Sequence, residues 1–423
     1  MANSRLLAVK ALLKVHADNA YSNLTLNSIL KESDATHQEK IFATALFYGV
    51  LERQITLDFI LNSLLKSPLK KTSPFTAEVL RTGLFQIMYM DSVPDFSAVD
   101  EAVKLVKRSK ESRNAGFVNA VLRNVLRNGV SLPNGNSNEA LSVRYSCPEW
   151  IIKSLVSDYG IDDTVNFLEE TLKTPPLTIR VNTVKTTLGE LKSVLKKQGV
   201  SVKMGRIDNS LDLTGTDSVE ALIGFKEGYF HVQDSASQAV CSVLKPEKGQ
   251  RVLDICAAPG GKSFTLAQLM ENSGEIVACD LYEHRVSLVA KGAERLGLDI
   301  ITAKTADAGT FEPEFGEFDC ILCDVPCSGL GIIRRKPDIK YKPFEDFSSL
   351  EHIQQKILNN AKKYLKSKGK LLYSTCTLRK SENEKQIEKF LKDNRDFSLR
   401  YEHTYMPHKD KTDGFYCALL VKD

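Results

Sequence analysis

Between residues 4 and 127 apolar side chains return every three or four positions, as at Leu6, Val9, Leu12 and Leu13 and again at Val121, Leu122, Val125 and Leu126. That period gathers them on one face of successive α-helices. Pro94 and the Ser-Pro pairs at 67–68 and 73–74 interrupt the pattern, and the polar, turn-rich stretch 131–138 ends it. A second region, 140–233, opens as a helix around Tyr145-Ser-Cys-Pro-Glu-Trp150 and is cut by Thr174-Pro-Pro176. It continues with a β-rich run at 177–182, an amphipathic helix at 188–195 and short strands near 200–204 and 229–232, the make-up of a small α+β unit. After Gln233 the pattern becomes strand, loop and helix in repetition, with apolar strands expected at 251–255, 276–279, 300–303, 320–322 and 370–373. Strands that stay apolar without alternating are buried on both faces, which predicts a mostly parallel, doubly wound sheet. The expected fold class is α/β, with that sheet over 234–423, an all-α domain over 1–135 and a small α+β linking domain over 140–233.

A chain of 423 residues exceeds what one core supports. Its 42% hydrophobic and 26% charged residues are ordinary for a folded protein and exclude disorder throughout. No run nears the ~18 apolar residues of a membrane span. The apolar stretch near Met1 is broken by Lys10 and is too short for a secretory signal, so a cytosolic protein free of membrane is expected. Nine cysteines, eight of them after residue 240, read there as free or reactive thiols, not as a disulfide framework. The net charge of +4 is uneven: residues 1–150 hold 18 Lys and Arg against 14 Asp and Glu, and the rest balances at 39 each. Lys104, Lys107, Arg108, Lys110, Arg113, Arg123 and Arg127 crowd into 101–127 beside only Glu101 and Glu111. Such a face suits a phosphate backbone, although a solvated or protein-binding helix bundle has the same composition.

Ligands of doubly wound sheets bind past the carboxyl ends of the strands, so the loops there carry the chemistry. The first is Asp254-Ile-Cys-Ala-Ala-Pro-Gly-Gly-Lys-Ser263. Its glycines permit close approach of a ligand to the backbone, and the following helix offers N-terminal amides to a carboxylate or phosphate. Gly261-Lys262-Ser263 matches the end of a phosphate-binding loop of ATPases, but that loop needs a glycine where Cys256 stands. A nucleoside-cofactor site fits better, because Asp280 ends the second strand where an acid binds ribose hydroxyls. Asp307, after the third strand, has two readings, an acceptor for an adenine amino group or the N-cap of the next helix. Cys327 and Cys376 follow the fourth and fifth strands in loops facing that cofactor, whereas Cys279, Cys320 and Cys417 read as structural. Cys320 and Cys323 form the C-x-x-C of a zinc site. They lack a second pair or suitably spaced histidines, and on a strand they face opposite ways.

Cys256-Ala-Ala-Pro-Gly-Gly-Lys262, Asp324-Val-Pro-Cys-Ser328 and Ser374-Thr-Cys376 resemble, in order and on the corresponding strand ends, the motifs of the RNA cytosine-C5 methyltransferases, the NOL1/NOP2/Sun family. Arg180-Val-Asn-Thr183, Gln233-Asp-Ser-Ala-Ser237 and Ile333-Arg-Arg-Lys-Pro-Asp-Ile-Lys340 are similar to further segments of that family, and the helical first 130 residues resemble a NusB-type RNA-binding domain. The combination is similar to bacterial members that act on small-subunit (16S) ribosomal RNA. The resemblance implies a Rossmann-like class I methyltransferase domain, an RRM-like linking domain and S-adenosyl-L-methionine as cofactor. It implies that Cys256, Ala257, Ala258, Pro259, Gly260, Gly261, Lys262, Asp280, Asp307 and Asp324 hold the cofactor. Cys376 would be the nucleophile toward C6 of cytosine and Cys327 would assist release. Asp324 would meet the N3 edge of the base, and Lys262 is placed to lower the thiol pKa. Small-subunit ribosomal RNA is then the expected partner of a monomer without metal. Transfer RNA as substrate, or a non-catalytic antitermination-type RNA-binding factor, are the competing readings.

Overall fold

The computed structural model describes residues 3–18, 22–216 and 218–423. The chain forms two compact units, Met1–Lys173 with Ile333–Lys342, and Thr174–Ile332 with Pro343–Asp423. The first is helical: α1 (Ser4–Asp18), α2 (Ser22–Lys31), α3 (His37–Leu64), α4 (Pro74–Tyr89), α5 (Asp95–Lys107), α6 (Ala115–Asn128), α7 (Asn138–Tyr145) and α8 (Glu149–Thr171). Leu12 of α1, Phe47, Leu51 and Leu61 of α3, Leu80 and Leu84 of α4 and Leu122 of α6 meet in one core. The prolines that break the sequence pattern open helices: Pro74 occupies the first turn of α4, where a missing N–H costs nothing, and Pro94 precedes α5. Thr36 and Glu39 cap α3 reciprocally.

Residues 333–342 complete this unit from far along the chain. Lys340 Nζ donates to the carbonyls of Glu52 and Ser146, each at 2.8 Å, and the Tyr341 hydroxyl donates to the Leu51 carbonyl at 2.6 Å. Around this point Ile55 N–H donates outside its helix, to Ser146 Oγ at 3.0 Å.

The second unit holds two sheets. The smaller, ordered β2-β3-β1-β4, is antiparallel, with β1 (Leu177–Val181), helix α9 (Leu188–Lys197), β2 (Ser201–Met204), β3 (Ser210–Thr214) and β4 (Phe230–Val232). The segments around Arg180 and Gln233 dock this sheet against residues 265–296. Arg180 Nε reaches Gln268 Oε1 at 3.0 Å, Asn182 Nδ2 reaches the Leu296 carbonyl at 2.8 Å, and Thr265 Oγ1 donates to Gln233 Oε1 at 2.6 Å.

Next come α10 (Ser235–Leu244), β5 (Arg251–Asp254), α11 (Gly261–Leu269), β6 (Glu275–Asp280), α12 (Glu283–Leu296), β7 (Ile301–Thr305), β8 (Phe318–Asp324), α13 (Leu350–Ala361), β9 (Leu365–Thr375), α14 (Glu384–Asp393), β10 (Phe397–Tyr405), α15 (Pro407–Asp410) and β11 (Phe415–Lys422). The larger sheet runs β10-β11-β9-β8-β5-β6-β7, parallel from β9 to β7 and antiparallel at β11 and β10. The five apolar strands are those expected from sequence. β3, β10 and β11 are additions, and β10 lies at an edge, where alternation with charged residues hides a strand from a search for apolar runs. Cys320 and Cys323 join apolar clusters on opposite faces. Among the described residues no helix is long and apolar enough to cross a membrane.

Candidate active site

The loop after β5 turns sharply into α11. Gly260 sits at φ +108°, and a Cβ there would lie 2.4 Å from the Phe264 ring, so glycine is required twice over. Asp254, at the strand end, is buried. Its Oδ2 accepts from Ser263 Oγ at 2.6 Å while Oδ1 has no partner among the described residues, and burial pushes its pKa up to about 7.

A cavity of about 540 Å³ opens past the ends of β5, β6, β7 and β8. Cys256, Ala258, Asp280, Asp307, Asp324, Cys327 and Cys376 line it, whereas Ala257, Pro259, Gly260, Gly261 and Lys262 shape the loop without facing it. Asp280 is 4% exposed, and its Oδ1 lies 3.2 Å from Arg285 Nη1. Arg285 Nη2 also donates to the Ala258 carbonyl at 2.9 Å, which ties the acid to the glycine loop. Asp307 caps its own turn: Oδ1 accepts from Gly309 N–H at 2.8 Å and Oδ2 from Thr310 Oγ1 at 3.0 Å. These bonds hold its carboxyl below the usual range. No α-helix follows this turn until α13, which removes the helix N-cap reading. Leu281 and Ile353 present half-exposed apolar faces to the cavity. The volume, an acid for hydroxyls and apolar walls for a ring fit a nucleoside-bearing cofactor such as S-adenosyl-L-methionine.

Neighbouring parallel strands bring the two cysteine loops together. Asp324 pairs in register with Ser374, so Cys327 and Cys376 leave the sheet at the same level, and their sulfurs lie 3.3 Å apart. The bond to Cys376, and then burial, hold the Cys327 pKa well above the usual thiol range. Gly331 N–H donates to the Cys376 carbonyl at 3.0 Å. Asp324 accepts from Ser374 Oγ at 2.8 Å through Oδ1 and from Lys262 Nζ at 2.7 Å through Oδ2. Burial opposes the charge on Lys262, but Asp324 outweighs it and raises the lysine pKa. Its charge meets the Asp324 carboxylate at contact distance and also acts on Cys376.

Sequence reasoning overlooked the residues behind the thiols. Glu382, wholly buried, bonds Ser328, Arg379 and Gln354, and Asn383 Oδ1 accepts from Thr375 Oγ1 at 2.6 Å. A charged pair three residues apart, Arg379 and Glu382, just past an apolar strand was the available signal. Among the described residues no three His, Cys, Asp or Glu side chains are placed to hold a metal. In the helical unit all seven basic residues of 101–127 are exposed. Lys104 is paired with Asp100 at 2.7 Å and Glu101 at 2.9 Å, while Lys107, Arg108, Lys110, Arg113 and Arg127 make no ion pair among the described residues.

A Rossmann-like sheet with a glycine-rich first loop, an acid ending the second strand and a nucleoside-sized cavity defines an enzyme class that works with a nucleoside-bearing cofactor. The family model "16S rRNA methyltransferase RsmB/F" matches residues 241–421, a NusB family model matches 2–127, and a ferredoxin-like domain of RsmF/B-like methyltransferases matches 147–220. The chain is 37% identical to the probable ribosomal RNA small subunit methyltransferase B of Bacillus subtilis, over 98% of each chain. It is 32% identical to ribosomal RNA small subunit methyltransferase B of Proteus mirabilis, over 99% of each. The crystal structure of PH0851 superposes with a TM-score of 0.83 at 26% identity, covering 100% of this chain and 99% of the other. The chain belongs to the ribosomal RNA small subunit methyltransferase B family.

Proposed function

We propose that this protein methylates C5 of a cytosine in small-subunit (16S) ribosomal RNA, using S-adenosyl-L-methionine, through a covalent bond between Cys376 and C6 of the base. The observation that carries this reading is the pair of sulfurs 3.3 Å apart at the wall of a nucleoside-sized cavity, beside the Lys262–Asp324 ion pair. Residues 256–262 with Asp280, Asp307 and Asp324 would hold the cofactor, which when bound supplies an electrophilic methyl group.

C5 of cytosine is a poor nucleophile. Addition of the Cys376 thiolate to C6 moves the ring electrons toward C5 and makes it enamine-like. Asp324 would meet the N3 edge of the base, where negative charge collects on addition, and the Lys262 ammonium 2.7 Å from it would offset that charge. Cys327 stays a thiol during attack, because the bond to Cys376 and burial oppose its ionisation. Once Cys376 is bonded to C6, the bond that held Cys327 protonated is lost; Cys327 then gives its proton to water and, as thiolate, takes the C5 proton directly or through a water. The electrons of that C–H bond then restore the C5–C6 double bond while the C6–S bond breaks and Cys376 leaves as thiolate. The base must be unstacked to reach these sulfurs, and the exposed cations of the helical unit suit the RNA backbone.

Small-subunit ribosomal RNA, naked and in particles, and transfer RNA should be incubated with the protein and cofactor, followed by mapping of 5-methylcytosine. The product is expected in ribosomal RNA. Its appearance in transfer RNA alone would replace the substrate, and methylation at another atom would end the covalent reading.

A further inference from the structure

A carboxylate as deeply buried as Glu382 is costly unless its lone pairs are met. Here four donors meet them. Oε1 accepts from Ser328 Oγ at 2.5 Å and Arg379 Nη1 at 3.1 Å, and Oε2 accepts from Ser328 N–H at 2.9 Å and Gln354 Nε2 at 3.0 Å. Gln354 Nε2 also donates to the Pro326 carbonyl at 3.0 Å, so the residues on both sides of Cys327 are pinned. Ser328 Oγ, which donates to Glu382, accepts from Thr377 Oγ1 at 2.7 Å, and Thr377 follows Cys376 directly. One side chain thus joins the two thiol loops through the residues adjacent to each sulfur.

We infer that Glu382 is a positioning residue that fixes Cys327 against Cys376 and so governs release of the methylated base. The inference rests on the roles given above to the two thiols. A glutamine cannot replace Glu382, because its amide nitrogen would face a donor in either orientation.

The full-length chain tests this with two measurements. A trivalent arsenical, which bridges thiols only when they lie together, should bind the native protein and neither Cys327→Ala nor Cys376→Ala. Glu382→Gln should weaken that binding at least tenfold. In the second measurement, RNA and cofactor are added and the protein is run on a denaturing gel. Glu382→Gln should accumulate a cofactor-dependent protein–RNA species, as Cys327→Ala does, while cofactor affinity is unchanged. Ser328→Ala, a smaller lesion, should shift both readouts the same way to a lesser degree. Native-like arsenical binding and no trapped RNA in Glu382→Gln would overturn the inference. So would a parallel loss of adduct and product with a lowered melting temperature in both variants. If Cys327→Ala itself traps no RNA, the thiol roles fall, and the arsenical result still decides the geometry.

Discussion

Lys262 and Lys340 are both largely withdrawn from water, one in each unit, and they are kept there by different means. Lys262 faces the carboxylate of Asp324 at 2.7 Å, and its pKa is raised. Lys340 faces two backbone carbonyls, and burial pulls its pKa down to about 8. A carboxylate makes the buried charge favourable, whereas carbonyl dipoles only make it tolerable. The first arrangement keeps a cation within electrostatic reach of Cys376, and the second fastens a segment of chain.

The sharpest way to break this contrast is to remove each charge. Lys262→Met should lower single-turnover methylation about 100-fold or more, the usual scale for losing a preorganised charged group. Adding Asp324→Asn should restore melting temperature without restoring activity. Recovery of activity in that double variant would show that the pair is a structural staple.

Lys340→Met should act on stability and on its pH dependence. In the folded state Lys340 loses its proton near pH 8, whereas in the unfolded chain it keeps it to about 10.4. Over that window the unfolded state binds more protons, so this residue's contribution rises with pH, by roughly 3 kcal/mol at most. Denaturant unfolding at pH 7 and pH 10 should show native stability improving relative to Lys340→Met. A constant difference between the two would mean that the amine keeps its ordinary pKa in the folded state.

Asp280→Ala should weaken S-adenosyl-L-methionine by about 1.5–3 kcal/mol, the worth of a hydrogen bond to a charged acceptor, when measured by calorimetry. An unchanged affinity would leave Asp280 as a mere partner for Arg285. The smallest effect is expected on the helical surface. Changing Lys107, Arg108, Lys110, Arg113 and Arg127 to Gln should flatten the salt dependence of RNA binding by roughly 0.7–0.9 in log–log slope for each phosphate no longer neutralised. Including Lys104 should add little, because it is already paired. An identical slope would place the RNA elsewhere.

Much of this was legible in sequence because it rests on local rules. Periodicity marks helices, buried strands stay apolar, and catalytic loops follow strand ends, so Cys327 and Cys376 could be paired before any distance was known. Glu382 was legible only as one member of a charged pair with Arg379, not in its role. Its meaning comes from Ser328 and Gln354, which are 54 and 28 positions away, and no period links them. The Lys262–Asp324 pair spans 62 positions and was hidden for the same reason. β10 was missed because an edge strand alternates with charged residues, whereas β11, between β10 and β9, is an apolar run that the search for buried strands should have found.

The Lys340 strap also bears on how the protein is made. The first 173 residues leave the ribosome long before residues 333–342, which they need to complete their unit. At the usual pace of synthesis the intervening stretch of about 160 residues takes roughly 10–30 s. During that interval the carbonyls of Leu51, Glu52 and Ser146 wait for donors that have yet to be translated. The helical unit is therefore neither an early folding product in its final form nor a detachable cassette. A chain shortened to begin at residue 140 would keep Lys340 and Tyr341 and lose the helix they fasten to, so any RNA binding by the helical unit is better probed by charge changes in the intact protein than by deletion.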